Sequence, residues 1–362
     1  MKRAVIATSN PQYYIPQLSD YSIMVVDPNS QIDRYNYLLE KADWSLLITD
    51  KKERYQDGAD YHNERIVLYT SGTTGDSKFY SFSQDQIEGI AKNNILAYNI
   101  TENDRYASIM PLWHAHGQSF YWTMMYAKCS IEYFSMKQLK SLPAYSPTFT
   151  TAVPNILRFL SKFDFTNLRF IASAGTSLSN DLYINLKNKF NTPIVEAFGM
   201  TESISHCFTN PLYGEQRIGT VGLPIGIEAY IDSQKHLYIK GPNVAINGWF
   251  DTGDLAEQDE KGYYKIIGRS VDQINVHGTK INPLSLETQL LEKFDDLQQV
   301  SIFGKDTVNC MYVGDIPEIK IKNFLNSLGT YCFPKVLIKT NEIPLNENGK
   351  ISRKYLVETL LK

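Results

Sequence analysis

"LYTSGTTGDSKFYSFS", Leu68–Ser83, grows out of the short apolar run Ile66-Val67-Leu68-Tyr69. Between Ser71 and Ser83 it holds two Gly, six Ser/Thr hydroxyls and one Lys, Lys78. A flexible, hydroxyl-rich loop on the end of a strand suits an anion, most often phosphate. Gly lets backbone N–H groups turn inward and approach closely. Ser and Thr add hydroxyl donors, and Lys adds a mobile point charge. A Walker A loop is excluded, because that pattern needs G-x-x-x-x-G-K-[ST] and Ser77 stands five residues after Gly72. No G-x-G-x-x-G is present either.

Bulk properties narrow the rest. A chain of 362 residues can bury a large core and suits two domains. With 43% hydrophobic and 21% charged residues and a net charge of -3, no nucleic acid or other polyanion is implied as a partner. The opening "MKRAVIATSNPQ" has only a four-residue apolar run before Thr8, too short for a signal peptide. No stretch reaches the length of a membrane span. Cys129, Cys207, Cys310 and Cys332 are scattered, which reads as reduced thiols in a cytoplasmic protein.

β-type runs recur at 3–8, 22–26, 45–49, 65–70, 105–110, 129–134, 148–153, 168–173 and 193–198. Helical patterns lie between several of them. Ser83-Gln84-Asp85-Gln86 reads as a capping box opening a helix to about Tyr98. Pro154 suits a first helical position, and Ser179 the cap of a helix carrying Leu182 and Leu186. Such alternation predicts an α/β fold of parallel-type sheets covered by helices. Beyond Pro211–Gly226, "HLYIKG" (236–241) and "GYYKIIG" (262–268) read as antiparallel strands. A smaller α+β stretch follows Arg269, with helices near 283–294 and 317–328 and strands at 298–303 and 335–339.

Six short stretches then fall into a fixed order: "YTSGTTGDSK" (69–78), "MPLWHAHG" (110–117), "EAFGMTES" (196–203), "DTGDL" (251–255), "GRSVDQINVHGTKINPLSLE" (268–287) and "PLNENGKISRKYL" (344–356). Together they resemble the adenylate-forming superfamily of acyl-CoA synthetases, nonribosomal-peptide adenylation domains and luciferase-like enzymes. The likeness implies an adenylation core at 1–271, including a small β-barrel-like subdomain, and a mobile α+β lid at 272–362. It implies that a carboxylate attacks the α-phosphorus of ATP, giving acyl-AMP and pyrophosphate, and that a thiol then displaces AMP.

By that resemblance Thr70, Ser71, Gly72, Thr73, Thr74, Gly75 and Lys78 hold the phosphates. Gly175, Glu196, Ala197, Phe198 and Gly199 line the nucleotide site. Thr201 lies near the α-phosphate, and Glu202 binds Mg²⁺, a hard cation that prefers oxygen ligands. Asp254 and Arg269 take the ribose. Lys350 neutralises charge in the adenylation transition state. Asp272 is the hinge, and Gly278 faces the thiol tunnel. Trp113, His114, Phe198 and Gly199 form the acyl pocket, with His114 a gate beside the acyl carbonyl. The acceptor implied is CoA, with the phosphopantetheine of an acyl carrier protein as the alternative. A member that binds nucleotide without turnover is a further alternative.

The family's amine-anchoring Asp is replaced here by Trp113-His114. A buried ammonium needs a carboxylate partner, so α-amino acids are disfavoured. Trp113, Phe120, Tyr121, Trp122 and Phe198 suit an aryl or modest acyl acid. Only 68 residues precede the phosphate loop, so the core is expected to be shortened at its N-terminus. A homodimer or a partner protein would then cover the exposed sheet edge. Asn275 stands where acyl-CoA synthetases usually carry Lys.

Plainer readings remain beside these. Lys78 by itself is a solvated loop lysine. His114 and His116 would face one way on a strand, as in some zinc sites, but no third ligand lies near them in sequence. His206-Cys207 reads as structural. Glu196 either lines the pocket or makes a salt bridge.

Overall fold

The computed structural model describes residues 1–70, 77–344 and 351–361. Two compact units emerge. The first comprises Met1–Leu178, Leu182–Glu228 and Ile239–Phe250; the second comprises Ser179–Asp181, Ala229–Tyr238 and Asp251–Lys362.

The first unit is built on two sheets. One contains β1 (Lys2–Ala7), β2 (Tyr21–Val25), β3 (Leu46–Thr49), β4 (Glu53–Tyr55), β5 (Ile66–Tyr69) and β6 (Phe79–Phe82), in the order β4-β3-β1-β2-β5-β6. Its four inner strands are parallel, and β4 and β6 run antiparallel at the edges. The other contains β7 (Arg105–Ser108), β8 (Ser130–Tyr133), β9 (Phe149–Ala152), β10 (Phe170–Ala174), β11 (Ile194–Met200), β12 (Ser205–Thr209) and β13 (Leu223–Pro224), ordered β13-β12-β11-β10-β9-β7-β8. Every β-run expected between 3 and 198 is a strand.

The runs are apolar throughout because both faces of each inner strand are covered. On the first sheet, Val5, Ala7 and Met24 pack with Leu38 and Ala42 of α1 (Ile32–Ala42). The alternate residues Ala4, Ile6 and Ile23 pack with Ile87 and Ile90 of α2 (Gln84–Tyr98) and Tyr121 of α3 (Ala115–Ala127). The same two helices serve the second sheet: Tyr98, Phe120 and Met124 pack on Tyr106, Phe149 and Phe170. The far face of that sheet carries α5 (Pro154–Leu160) and α6 (Asn180–Phe190), with the four-residue α4 (Leu142–Tyr145) before them. Helices α2 and α3 are thus buried on opposite sides, which explains the run of apolar residues around the latter's circumference.

Ser83 and Gln86 form the capping box expected of them, and Pro154 opens α5. Strand β1 lies mid-sheet; one edge is β4, three exposed residues including Glu53 and Arg54, and the other is β6. A short charged edge discourages pairing with another chain.

The second unit contains a sheet of β14 (Glu228–Ile231), β15 (His236–Lys240), β16 (Phe250–Gln258) and β17 (Tyr264–Arg269), neighbours in chain order. The barrel-like subdomain takes this form. A hairpin of β18 (Ile274–Val276) and β19 (Thr279–Ile281) follows, then a sheet of β20 (Leu297–Phe303), β21 (Asn309–Gly314) and β22 (Val336–Lys339). Helices α7 (Pro283–Lys293), α8 (Glu318–Ser327) and α9 (Arg353–Leu360) complete it. No helix among the described residues is long and apolar enough to cross a membrane.

A buried polar junction locks the first sheet. Arg3 on β1 and Glu64 are 6% and 5% exposed. Arg3 Nη2 donates to Glu64 Oε1 at 2.8 Å, and Ser22 Oγ on β2 donates to the same oxygen at 2.6 Å. Ser81 on β6 donates to Glu64 Oε2. Removing one partner of a buried ion pair costs roughly 3–5 kcal/mol. Glu64→Ala is therefore expected to lose about that much in urea unfolding. A midpoint unchanged from the wild type would show that the junction does not hold the sheet.

Candidate active site

Strands β5 and β6, which flank the candidate phosphate loop, form an antiparallel pair with Tyr69 opposite Phe79. Thr70 N–H donates to Lys78 O at 3.0 Å, and Lys78 N–H to Thr70 Oγ1 at 3.2 Å. Thr70 and Lys78 thus close the loop's base, and Lys78 is exposed. Ser71, Gly72, Thr73, Thr74 and Gly75 lie outside the described residues, as does Lys350.

The Thr201-Glu202 pair sits in a short 3₁₀ turn directly after β11. Tyr80 hydrogen-bonds the Glu202 side chain; burial and this bond push the Tyr80 hydroxyl above its usual pKa. Ala245 N–H donates to Glu202 O at 2.8 Å. Tyr80 lies on β6, two residues past Lys78, so the hairpin itself presents the partner of the carboxylate. The loop carrying Ala245 is in turn held by Gln86 of α2, whose Nε2 donates to Pro242 O at 3.1 Å and Val244 O at 3.3 Å.

This turn is tight. Ile204 and Ser205 have φ of 49° and 78°, left-handed values costing on the order of 1–3 kcal/mol each for such residues. Ile204 is 1% exposed and anchored in the core beneath the first sheet. A Cβ on Gly199 would lie 1.5 Å from Ser205 O, so glycine is required there for space. Gly117 has the same role in the acyl motif, where a Cβ would meet Pro111 O at 2.1 Å.

Glu196 on β11 accepts a hydrogen bond from Leu178 N–H at 3.0 Å. It thereby holds the loop that leaves β10 through Gly175, whose φ of 91° suits glycine. Burial raises the Glu196 pKa to about 7, and the Leu178 bond lowers it in part. Ala197 and Phe198 continue the strand, with Phe198 packed edge-on against Phe208.

His114 is the N-cap residue of α3, and His116 lies in its first turn. The pair is therefore not on a strand, where both rings would face one way: Gly117 lets the helix start against the backbone of Met110 and Pro111. His116 Nε2 bonds Thr151 Oγ1 at 2.7 Å, and Thr151 Oγ1 also bonds Tyr106 Oη at 2.7 Å. His206 Nδ1 bonds Tyr98 Oη at 2.7 Å; full burial holds its pKa at about 3 and the ring neutral. Among the described residues no group of three or more His, Cys, Asp or Glu could hold a metal by itself. All four cysteines are buried, and no disulfide joins them. Trp113 and Trp122 pack at the margin of the core beneath the first sheet, and Tyr121 lies in it, whereas Phe120 belongs to the core on the second. The aromatic run therefore does not form one wall.

In the second unit, Asp254 and Arg269 face each other across β16 and β17. Arg269 Nε lies 3.2 Å from Asp254 Oδ1, and Asp254 is only 6% exposed. Asp272 ends a 3₁₀ turn and pairs with Arg353 Nη1 at 2.9 Å. His277 and Gly278 have φ of 49° and 89°, as a two-residue hairpin turn of type I′ needs. Asn275 Oδ1 accepts from Gly278 N–H at 2.9 Å, so Asn275 has a local use where Lys was expected.

Residues 56–246, more than half of the chain, match the family of AMP-binding enzymes. The chain belongs to this family. The oxalate–CoA ligase of Arabidopsis thaliana is 28% identical over 95% of this AMP-binding enzyme and 73% of its own length. The 2-succinylbenzoate–CoA ligase of Staphylococcus epidermidis is 28% identical over 80% of this chain and 68% of its own. Other curated relatives are longer still, the chain spanning as little as 60% of one. The crystal structure of ATP-bound MatB from Rhodopseudomonas palustris superposes with a TM-score of 0.86 at 20% identity, over 99% of this chain and 88% of that one. This AMP-binding enzyme has the same α/β fold. It is an AMP-forming acid–thiol ligase, the class to which its curated relatives belong.

Sequence reasoning missed Tyr80, Ala245 and Arg353. Tyr80 shares with Lys78 the period-two spacing of a strand, and Arg353 stands inside the last motif. Nothing in the sequence pointed to Ala245.

Two outcomes follow from the geometry. Between about pH 4.5 and 7 the unfolded chain has lost the Glu196 proton while the folded chain keeps it, so stability falls as pH rises through that window and stays lower above it. Glu196→Gln should flatten that slope, being more stable than the wild type by on the order of 1–3 kcal/mol at about pH 8 and matching it at about pH 4. Parallel pH profiles for the two proteins would refute the assignment. Gly199→Ala should cost about 1–3 kcal/mol by thermal or urea unfolding, through overpacking against Ser205; wild-type stability would mean that the turn relaxes freely.

Proposed function

We propose that this enzyme joins a small carboxylic acid to CoA through an acyl-AMP intermediate, and that the acid carries a second anionic group. The supporting observation is the Thr201-Glu202 turn, held by Tyr80 of the very hairpin whose loop is the phosphate-binding candidate. Oxalate and 2-succinylbenzoate, named for two relatives, both carry two carboxylates, which favours a diacid.

Adenylation then needs charge stabilisation and positioning more than covalent chemistry. The carboxylate oxygen attacks the α-phosphorus, and pyrophosphate leaves. Backbone and hydroxyl donors of residues 70–75, with Lys78, hold the outgoing phosphates. Thr201 orients the α-phosphate. Glu202 fits Mg²⁺, because that cation typically takes one or two carboxylates and completes its shell with phosphate oxygens and water. Bound there, Mg²⁺ would neutralise phosphate charge. Asp254 accepts from the ribose hydroxyls, oriented by Arg269. Gly175, Ala197, Phe198 and Gly199 shape the base and acyl surfaces beside Trp113 and His114. Lys350 adds positive charge at the reacting carboxylate. For the second step, the segment from 272 to 362 turns about Asp272 and presents the Gly278 face to the thiol. The thiolate attacks the acyl carbonyl and AMP departs. The second reading of the acceptor is a carrier-protein phosphopantetheine, favoured by Asn275 being used in its own turn.

The test is pyrophosphate release over a panel of diacids, matched monoacids and amino acids, followed by addition of CoA or a loaded carrier. Diacids should give the highest release. Lys350→Ala should reduce it by roughly a hundred- to a thousandfold, the loss typical of one transition-state contact. Highest release with free amino acids would overturn the substrate reading. No release with any acid would leave a nucleotide binder in its place.

A further inference from the structure

Arg353 opens α9 and reaches three parts of the second unit at once. Its Nη1 lies 2.9 Å from Asp272 Oδ2, its Nη2 2.7 Å from Glu287 Oε2, and its Nε donates to Ile302 O at 3.1 Å. These partners are 81, 66 and 51 residues away in sequence. Glu287 is 6% exposed, and its other oxygen accepts from Ile302 N–H at 2.7 Å. The guanidinium therefore fastens the turn at Ser270–Asp272 to α7, to β20 and to the start of α9. A planar fork with five N–H groups can serve three acceptors in this way; an ammonium on a flexible stem cannot hold the same geometry.

The placement of the first arm matters. Residues before and after the turn are also joined by Asn282, which caps α7 through Leu284 N–H and donates to Ile267 O on β17. Rotation about Asp272 would have to strain the Asn282 contact, which crosses the turn. The Arg353 contact ends on the turn itself. It can travel with the C-terminal segment and keep that segment in register with the pivot.

We infer that Arg353 is a positioning residue for the adenylation half-reaction, clamping the pivot Asp272 to the body that follows it. The inference rests on the reading of Asp272 as a hinge. Without the clamp, the pivot and the segment that starts three residues after Lys350 no longer turn as one piece. Adenylation, which depends on placing one charge to within about an ångström, suffers most; misplacement on that scale can cost roughly a hundredfold. Thioester formation from preformed acyl-AMP needs no such placement of the lysine.

The experiment measures both half-reactions in full-length wild type, Asp272→Ala, Arg353→Lys and the double variant, with hydrogen exchange at residues 270–273 in each. Arg353→Lys keeps a positive charge beside buried Glu287, so the variant should fold. Pyrophosphate release should fall by about tenfold to a hundredfold in each single variant, while thioester formation from synthetic acyl-AMP stays within about threefold. The double variant should be no worse than the worse single variant, because both remove one interaction. Exchange at 270–273 should quicken in all three. Equal loss of both half-reactions, or additive losses, would mean general destabilisation and overturn the clamp. If the wild type releases no pyrophosphate, the proposed function falls, and the exchange data decide the clamp alone: unchanged exchange refutes it, and non-additive quickening supports it.

Discussion

The buried carboxylate of Glu64 is the constraint on which the first unit turns. Arg3, Ser22 and Ser81 come from three different strands and all reach its two oxygens. Burying a charge without partners is costly, so the three strands have one arrangement that satisfies it. That arrangement sets β6 against β5, the two strands that flank the candidate phosphate loop. Tyr80, next to Ser81 in the chain, then points to the opposite face of the pleat and meets Glu202. The junction that stabilises the sheet and the contact that places the candidate metal ligand are adjacent residues of one strand.

The Thr201-Glu202 turn is the costly part of the site. Two successive residues with left-handed backbone and a glycine with no room for a methyl group are not what a plain strand connection needs. The strain is held by Ile204, driven into the core, and by Ala245 pinned on the far side. A turn over-determined in this way keeps the Thr201 hydroxyl and the Glu202 carboxylate in fixed relation, the preorganisation that the proposed electrostatic role would use. Glu196, on the strand that leads into this turn, contributes by holding the Gly175 loop, and it accepts burial of a carboxyl group as the cost.

In the second unit the same logic operates with ion pairs. Asp254 and Arg269 are cross-strand neighbours, so their relation is set by sheet register. Asp272, Glu287 and Arg353 are far apart in sequence and are brought together by the packing of α7, β20 and α9. The first pair is rigid because a sheet makes it so. The second group bridges the residue about which motion is proposed, and Arg353 ties it together.

Much was legible in the chain itself. Apolar runs of four to six residues marked the parallel strands, because two-sided burial leaves no polar alternation to hide them. Ser83, Gln86 and Pro154 announced their helices through local backbone chemistry that needs no tertiary partner. The motifs around Thr201, Asp254 and Asp272 supplied the candidate site residues. The three-dimensional structure alone decided which groups meet. The H-x-H spacing could not say whether its two rings face one way, and Gly117 decides it by letting a helix begin there against Pro111, a contact invisible in composition. Consecutive aromatics from Phe120 to Trp122 were grouped as surroundings suited to an aryl or modest acyl acid, but a helix turns each to a different side, so they divide between two cores. Tyr80 on Glu202, and Arg353 on Asp272, are contacts between residues 122 and 81 positions apart. Their spacing carries no signal, because the distance between them is set by sheet order and helix packing and not by the chain.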